Sequence, residues 1–353
     1  MVEREISIDG RRIGPSHLPY VICEISANHN GSLERAIKMI EAAAETGADA
    51  IKIQTYTADS LTIECDRSEF QIKGGLWDGH SLHGLYRQAS TPYEWHPALF
   101  KCARDLGATI FSTPFDESAV ELLAHLCSPA YKIASFEAID LPLIARVARQ
   151  GKPMIISTGM ASLGEIEEAV ATSRSNGADG IALLHCVSSY PAPVEDLNLR
   201  TVPHLAEAFG VVSGLSDHTP GVAAAVASVA LGGCVVEKHF TLSRADGGPD
   251  AAFSLEPREF KQLVANCRDA WKALGHVHYD LEGSEKASLV FRRSLYVVAD
   301  VAAGEKLTER NVRSIRPGRG LSPKHIGNVI GRRAARDLQR GHPLAWTDLE
   351  ERE

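Results

Sequence analysis

Eight short apolar segments alternate with longer stretches of helical periodicity between residues 20 and 240. Apolar runs of this length predict strands that are buried on both faces. The intervening stretches carry helix signals: SLERAIKMIEAAAETG has Ser32 as N-cap and Gly47 as C-cap, and SLGEIEEAVATSRSNG repeats the pattern from Ser162 to Gly177. The predicted strands are YVICEIS (20–26), AIKIQT (50–55), ATIFST (108–113), AYKIAS (130–135), PMIIST (153–158), IALLHC (181–186), VVSGLS (211–216) and CVVEKHF (234–240).

This alternation predicts a fold of the α/β class. Buried strands that are joined by helices pair in parallel with right-handed crossovers, and eight such units over about 250 residues predict a closed (β/α)8 TIM barrel. A doubly wound open sheet is the alternative, but the first strand lacks the G-x-G-x-x-G run of a nucleotide-binding fold. Residues 56–90 are longer than an ordinary βα connection, so we expect them to lie over the barrel mouth and shape a substrate pocket.

The pattern changes near residues 282–285. We therefore predict a barrel domain at residues 1–281 and a second, small domain at residues 282–353, with short strands, Gly-containing turns and basic residues concentrated between Arg310 and Arg340. About 70 residues are at the lower limit for independent stability, so we expect a partner chain to support this domain.

Composition and charge exclude several classes of protein. A net charge of -8 provides no basic face, which argues against nucleic acid and anionic membranes as partners. The N-terminal residues alternate apolar and charged side chains around an Asp-Gly turn, unlike a signal peptide, and the longest uncharged run, 219–236, is broken by Pro and Gly. Seven cysteines without C-x-x-C spacing indicate reduced thiols and a cytoplasmic location.

Polar side chains gather where the predicted strands end. TIM-barrel enzymes build their sites at the C-terminal ends of the strands. Strand ends also become polar on reaching water, but here all eight ends carry such residues. The candidates are Glu24, Lys52, Gln54, Thr113, Lys132, Ser135, Glu137, Ser157, Ser188, Tyr190, Ser216, His218 and His239.

The two histidines predict a metal site. Neighbouring strands lie about 4.8 Å apart, so His218 and His239, at the ends of the seventh and eighth strands, can converge on one ion. Neutral imidazoles suit Mn, Zn, Co or Fe, whereas Mg prefers oxygen ligands. Hydrogen-bonded loop histidines without a metal are the alternative.

Two lysines and several hydroxyls predict an anion pocket that suits phosphate. Its members are Lys52, Lys132, Thr113, Ser135, Ser157, Ser188 and Ser216. A buried lysine could instead form a Schiff base, as in an aldolase, and each hydroxyl could simply cap a helix. Glu24 and Glu137 are the candidate general acid or base, with ion pairs to the same lysines as the alternative.

The motifs resemble those of the sialic acid synthase family, from about Val21 to the C-terminus, and the tail resembles its antifreeze-like (SAF) domain. Within that family the chain is most similar to pseudaminic acid synthases. Ser188 stands where N-acetylneuraminate synthases usually have Asn, which argues against N-acetylmannosamine as substrate. The runs that carry the resemblance are EISANHNGSLERA, KIQTYTADS, FSTPFD, YKIASFE, ISTGMAS, CVSSYPAP, GLSDHT, EKHFTLSRADGGPDAAFS and FRRSLYVVADVAAGE.

The resemblance implies a condensation of phosphoenolpyruvate with an open-chain amino sugar, 2,4-diacetamido-2,4,6-trideoxy-altrose, that yields a nonulosonic acid and phosphate. It implies a divalent metal on His218 and His239, Mn²⁺ with Mg²⁺ or Co²⁺ as alternatives, and places the lysines and hydroxyls on phosphoenolpyruvate. Glu24 and Glu137 match the acid/base carboxylates, and Gln54, Tyr190 and Asp250 match sugar-side positions. Arg316 matches an arginine that reaches the barrel of the partner in a domain-swapped homodimer.

Three alternatives stay open at this point. A sister synthase would make N-acetylneuraminate or legionaminate from a related sugar. A Schiff-base aldolase would use a barrel lysine and no metal. The C-terminal domain could instead bind carbohydrate or ice without catalysis, although its basic surface lacks the flat Thr-rich repeat expected of an ice-binding protein.

Overall fold

A computed structural model of the chain describes residues 4–351. The chain divides into two compact units, one that ends at Gly275 and one that begins at His276. The N-terminal unit opens with an antiparallel hairpin of β1 (Ile6–Ile8) and β2 (Arg11–Ile13), which turns at Asp9 and Gly10. No helix in the described part of the chain is long and apolar enough to cross a membrane.

Eight parallel strands follow and close into a barrel in sequence order. Each lies within two residues of its predicted bounds, so the predicted TIM barrel is confirmed. The open-sheet alternative is wrong, because the last strand pairs with the first. The strands are β3 (Tyr20–Glu24), β4 (Ala50–Thr55), β5 (Thr109–Pro114), β6 (Tyr131–Ile133), β7 (Met154–Ser157), β8 (Ile181–Cys186), β9 (Val212–Asp217) and β10 (Val235–His239).

Helices connect the strands and cover the barrel. The predicted N-caps are confirmed, since Ser32 and Ser162 accept hydrogen bonds from Arg35 N and Glu165 N. The predicted C-caps are one residue late: the caps are Thr46 and Asn176, and Gly47 and Gly177 take the positive φ that follows, +79° and +95°. The helices are α1 (Leu33–Glu45), α2 (Ala58–Leu61), α3 (Leu82–Ala89), α4 (His96–Asp105), α5 (Glu117–His125), α6 (Leu141–Ala148), α7 (Leu163–Ser175), α8 (Thr201–Phe209), α9 (Ala223–Ala230) and α10 (Pro257–Leu274).

The two faces of the strands form two separate apolar clusters. Outward residues such as Val21, Ile51 and Ile156 pack against the helices. Inward residues such as Ile22 and Phe111 fill the N-terminal half of the barrel, together with the isoleucines of the hairpin. Because side chains alternate along a strand, each inward apolar residue is followed two positions later by a side chain that faces the upper interior.

The C-terminal unit has its own core. It contains an antiparallel pair of β11 (Ser294–Val297) and β12 (Val312–Ile315), the short helix α11 (Ile326–Val329) and several isolated bridges. Ten buried apolar residues, among them Leu295, Leu307 and Leu344, form its cluster. Short strands and turns rather than long elements make up this unit, as the sequence predicts.

Candidate active site

The upper interior of the barrel is charged and polar. Two residues above the inward Ile22, Ala50, Ala130 and Val235 stand Glu24, Lys52, Lys132 and Glu237, all less than 5% exposed. Charge at this depth requires partners, because an unpaired buried ion loses its hydration without compensation. The sequence pattern therefore brings four charged side chains into one enclosed space.

These four side chains form an alternating chain of charge. Lys52 Nζ lies 2.5 Å from Glu24 Oε2 and 3.5 Å from Glu237 Oε1, and Lys132 Nζ lies 3.9 Å from Glu237 Oε2. Glu237 was not among the site residues predicted from the sequence. Its position two residues before His239 in β10 was the available signal, since residues two apart in a strand share a face.

The lysines also hold the predicted hydroxyls. Lys52 Nζ donates to Thr113 Oγ1 at 2.9 Å, and Lys132 Nζ donates to Ser157 Oγ at 2.6 Å. Ser216 is buried on β9, where its backbone is in register with Glu237. Two ammonium groups and three hydroxyls thus surround one region of the interior, which is an arrangement that suits an anion.

Gly159 brings the remaining two serines together. Its backbone N–H donates to Ser135 Oγ at 3.2 Å. A Cβ on Gly159 would lie 2.3 Å from Ser188 Oγ and 2.8 Å from Ser135 Oγ, so only a glycine fits between them. Ser135 and Ser188 are therefore neighbours, although they follow β6 and β8.

The two histidines meet, as their strand positions require. Their ring centroids are 5.3 Å apart, and both side chains are less than 10% exposed. His218 Nδ1 lies 3.1 Å from Val187 O, and this contact favours the tautomer that leaves Nε2 as a lone-pair ligand. His239 Nδ1 is buried without a hydrogen-bond partner in the described residues, and burial holds the pKa of His239 well below its usual value, so the ring is neutral.

This pair fits a metal as a two-ligand site. Imidazole nitrogens are ligand atoms that a borderline divalent ion takes, and the buried Nδ1 of His239 has no hydrogen-bond partner among the described residues. The described residues contain no group of three or more His, Cys, Asp and Glu side chains placed to hold an ion. The other positions of an ion on His218 and His239 would therefore be open to substrate oxygen or water.

Aromatic and polar side chains surround the histidines. The Tyr190 ring centroid lies 4.4 Å from His218, and the Phe253 centroid lies 4.9 Å from His239 and 5.3 Å from Tyr190. Asp250 Oδ2 lies 3.8 Å from His239 Nδ1 and accepts a hydrogen bond from Ser26 Oγ. Phe253 was not named as a site residue, because it comes from a loop whose direction no periodicity signals. Ser26 was not named either, although it ends the predicted strand 20–26 and lies two positions after Glu24.

The sugar-side and phosphate-side candidates are connected. Gln54 Nε2 donates to Glu24 Oε1 at 3.3 Å and to Ser26 Oγ at 3.4 Å. Gln54 is thus linked to Asp250 through Ser26 and to Lys52 through Glu24. The barrel interior forms one continuous polar network rather than two isolated sites.

Both candidate acid/base carboxylates have raised pKa values. Burial raises the pKa of Glu24 to about 7, against the opposing effect of Lys52. Burial likewise raises the pKa of Glu137 to about 7, and its buried Oε2 has no hydrogen-bond partner in the described residues. A carboxyl group that titrates near neutrality can both hold and release a proton at physiological pH.

Arg316 belongs to the C-terminal unit. It follows β12 directly and is exposed. The structure therefore assembles all predicted site residues of the barrel at its C-terminal end, while Arg316 is presented on the surface of its own unit.

Comparisons with known proteins identify the family of the chain. The NeuB family matches residues 39–279, and the SAF domain matches residues 292–350. The chain is 45% identical to a pseudaminic acid synthase of Campylobacter jejuni, over 94% of this chain and 96% of the relative. It is 43% identical to a pseudaminic acid synthase of Helicobacter pylori, over 94% of this chain and 98% of the relative.

A solved structure shares the architecture. The N-acetylneuraminic acid synthetase of Leptospira borgpetersenii, in complex with citrate, superposes with a TM-score of 0.72 at 31% identity, over 81% of this chain and 95% of that one. The sequence relatives and the fold thus lead to the same assignment. The chain is a member of the NeuB enzyme family and carries a SAF domain at its C-terminal end.

Proposed function

We propose that this enzyme is a pseudaminic acid synthase, which condenses phosphoenolpyruvate with 2,4-diacetamido-2,4,6-trideoxy-altrose. The chemistry is supported by one observation: an anion pocket on Lys52 and Lys132 lies beside a two-histidine site. Buried polar contacts run from Lys52 through Glu24, Gln54, Ser26 and Asp250 to His239. The choice of sugar is supported by the 43–45% identity to pseudaminic acid synthases.

In this reaction C3 of phosphoenolpyruvate bonds to the aldehyde carbon, whose oxygen takes up a proton. Water then adds to C2, and phosphate leaves with cleavage of its C–O bond, which produces the 2-keto acid. Lys52 and Lys132, with Thr113, Ser135, Ser157, Ser188 and Ser216, bind the phosphate and carboxylate of phosphoenolpyruvate. The ammonium groups of the two lysines, beside the phosphate oxygens, also stabilise the departing phosphate.

Glu24 and Glu137 move the protons. At neutral pH each exists in both protonation states, because its pKa is about 7. One can therefore deprotonate the attacking water while the other protonates an oxygen. Gln54, Tyr190 and Asp250 orient the sugar beside them.

We propose Mn²⁺ as the ion on His218 and His239. Synthases of this family are generally metal-dependent. When bound, the ion would serve as a Lewis acid for the aldehyde oxygen. Tyr190, Phe253 and Asp250 enclose the two imidazoles and fix their orientation.

The test is phosphate release from phosphoenolpyruvate after EDTA treatment and Mn²⁺ addition. The 2,4-diacetamido altrose sugar, its gulose and mannose counterparts and N-acetylmannosamine are offered in parallel. We expect phosphate release with the altrose sugar. Mn²⁺ should restore this release after EDTA treatment, and His218→Ala and His239→Ala should abolish it. Release with another sugar would reassign the enzyme to a sister synthase; substrate trapping by borohydride without metal dependence would support an aldolase.

We further propose that the barrel domain, residues 1–281, is completed by residues 282–353 of a partner in a domain-swapped cytoplasmic homodimer. The exposed, basic Arg316 and the small size of its unit support this arrangement. His218→Ala and Arg316→Ala chains are each expected to be impaired, and their co-expression should restore activity in mixed dimers. A wild-type chain that is co-expressed with the double variant should form mixed dimers without activity, so that only its wild-type homodimers contribute. An inactive mixture of His218→Ala and Arg316→Ala chains, beside active mixed dimers of the wild type with the double variant, would contradict the swap.

A further inference from the structure

The connection between α2 and α3 contains a closed loop, residues 71–81. Gln71 and Ser81 form an antiparallel bridge at its base, and Ile72 N donates to His80 O at 2.8 Å. Gly74, Gly75 and Gly79 have positive φ, which allows the tip to turn tightly. The loop thus has a fixed base and an exposed tip that carries a single aromatic side chain, Trp77.

Trp77 is directed at the candidate site rather than at solvent. Its Nε1–H donates to Pro249 O at 2.9 Å, and its ring centroid lies 5.5 Å from that of Tyr190. Pro249 directly precedes Asp250, and Tyr190 stacks near His218. Trp77 therefore contacts two of the three segments that supply sugar-side residues, those of Tyr190 and Asp250.

Three rings make one aromatic wall, which we define as Trp77, Tyr190 and Phe253. Neighbouring centroids are 5.5 Å and 5.3 Å apart, and the wall ends on the rings of both histidines. The polar residues at the same end of the barrel, Asp250 and Gln54, can form hydrogen bonds with hydroxyl and amide groups of a sugar. An aromatic face instead packs against C–H groups, and it leaves a hydroxyl without a hydrogen-bond partner.

The proposed acceptor has an apolar side of this kind. It carries a C6 methyl group and two acetamido methyl groups, whereas N-acetylmannosamine has one acetamido group and hydroxyls at C4 and C6. We propose that Trp77 is a specificity-determining residue, whose indole packs against the apolar substituents of the amino sugar and selects the deoxy, diacetamido acceptor. This inference rests on the proposed synthase function.

The test is the steady-state kinetics of Trp77→Ala. We expect kcat/KM for the diacetamido altrose sugar to fall roughly 10- to 100-fold, the effect of losing one apolar contact surface. KM for phosphoenolpyruvate should stay within about twofold, because Trp77 contacts Pro249 and Tyr190 and neither belongs to the anion pocket. The preference for the altrose sugar over N-acetylmannosamine should shrink by a similar factor.

Two further variants separate packing from loop support. Trp77→Phe keeps an aromatic face but removes the donor to Pro249 O, and it should retain most of the preference. Leu76→Ala truncates the adjacent side chain, which is 45% exposed, and should match the wild type. Thermal unfolding and KM for phosphoenolpyruvate report whether each variant keeps its fold.

The outcomes are distinct. An active wild type with an unchanged preference in Trp77→Ala overturns the role of Trp77 and leaves the synthase function standing. Parallel losses for sugar and phosphoenolpyruvate, shared by Trp77→Phe, would show that Trp77 only supports the loop and also overturn it. A wild type that releases no phosphate with any of the sugars overturns the function itself, and the inference with it.

Discussion

Replacing Lys238 should destabilise the barrel more than any surface substitution. Lys238 is fully buried on the outward face of β10, and its Nζ donates to Asp217 Oδ2 at 2.8 Å and to Thr219 O. Its backbone is in register with that of Asp217 on β9. This ion pair therefore joins the residue before His239 to both neighbours of His218.

The magnitude follows from those contacts. Lys238→Met keeps most of the apolar stem but leaves the carboxylate of Asp217 buried without its cation. Removing one member of a buried pair costs about 3–5 kcal/mol. Two lost hydrogen bonds from a charged donor, at about 1.5–3 kcal/mol each, lead to the same range.

Urea unfolding followed by circular dichroism measures the difference in unfolding free energy. The double variant Lys238→Met/Asp217→Asn removes the orphaned charge and should recover more than about 1 kcal/mol of the loss. Lys101→Met is the control, because its pair with Asp105 is exposed and should contribute no more than about 1 kcal/mol. Mn²⁺ affinity, read by electron paramagnetic resonance, should fall in Lys238→Met.

A loss in Lys238→Met no larger than that in Lys101→Met would refute the reasoning. So would a double variant less stable than the single one, since the remaining carboxylate would then not be the source of the cost.

Two further predictions concern the upper interior of the barrel. Gly159→Ala places a methyl group between Ser135 and Ser188. Overpacking costs about 1–3 kcal/mol, so KM for phosphoenolpyruvate should rise about tenfold. Gly164→Ala is the control, because a Cβ there meets nothing within 4 Å, and it should leave this KM unchanged. Burial raises the pKa of Glu137 to about 7, so the folded chain holds this proton more tightly than the unfolded chain, and the resulting stability is lost as pH rises through that value. The unfolding free energy of the wild type should therefore fall relative to Glu137→Gln between about pH 5 and 7.5, and a constant difference in urea unfolding at the two pH values would contradict this.

The alternation of apolar runs and helical stretches in the sequence was sufficient to predict the barrel. Runs such as AIKIQT and IALLHC coincide with their strands, because the strands of the barrel are buried on both faces and are mostly apolar, and the helices between them carry their own caps. The polar strand ends then identified the lysines, hydroxyls and histidines that meet at the mouth. Strand order placed His218 and His239 on neighbouring strands.

Only the tertiary structure revealed how these groups are connected. Glu237 bridges two lysines from β4 and β6 because the barrel closes, and no local pattern states which inward side chains touch across its interior. Trp77 meets Pro249, 172 positions away, through a loop whose direction depends on packing rather than on propensity. Sequence periodicity determines which face a residue occupies; closure of the barrel and the packing of its loops decide which neighbours it meets there.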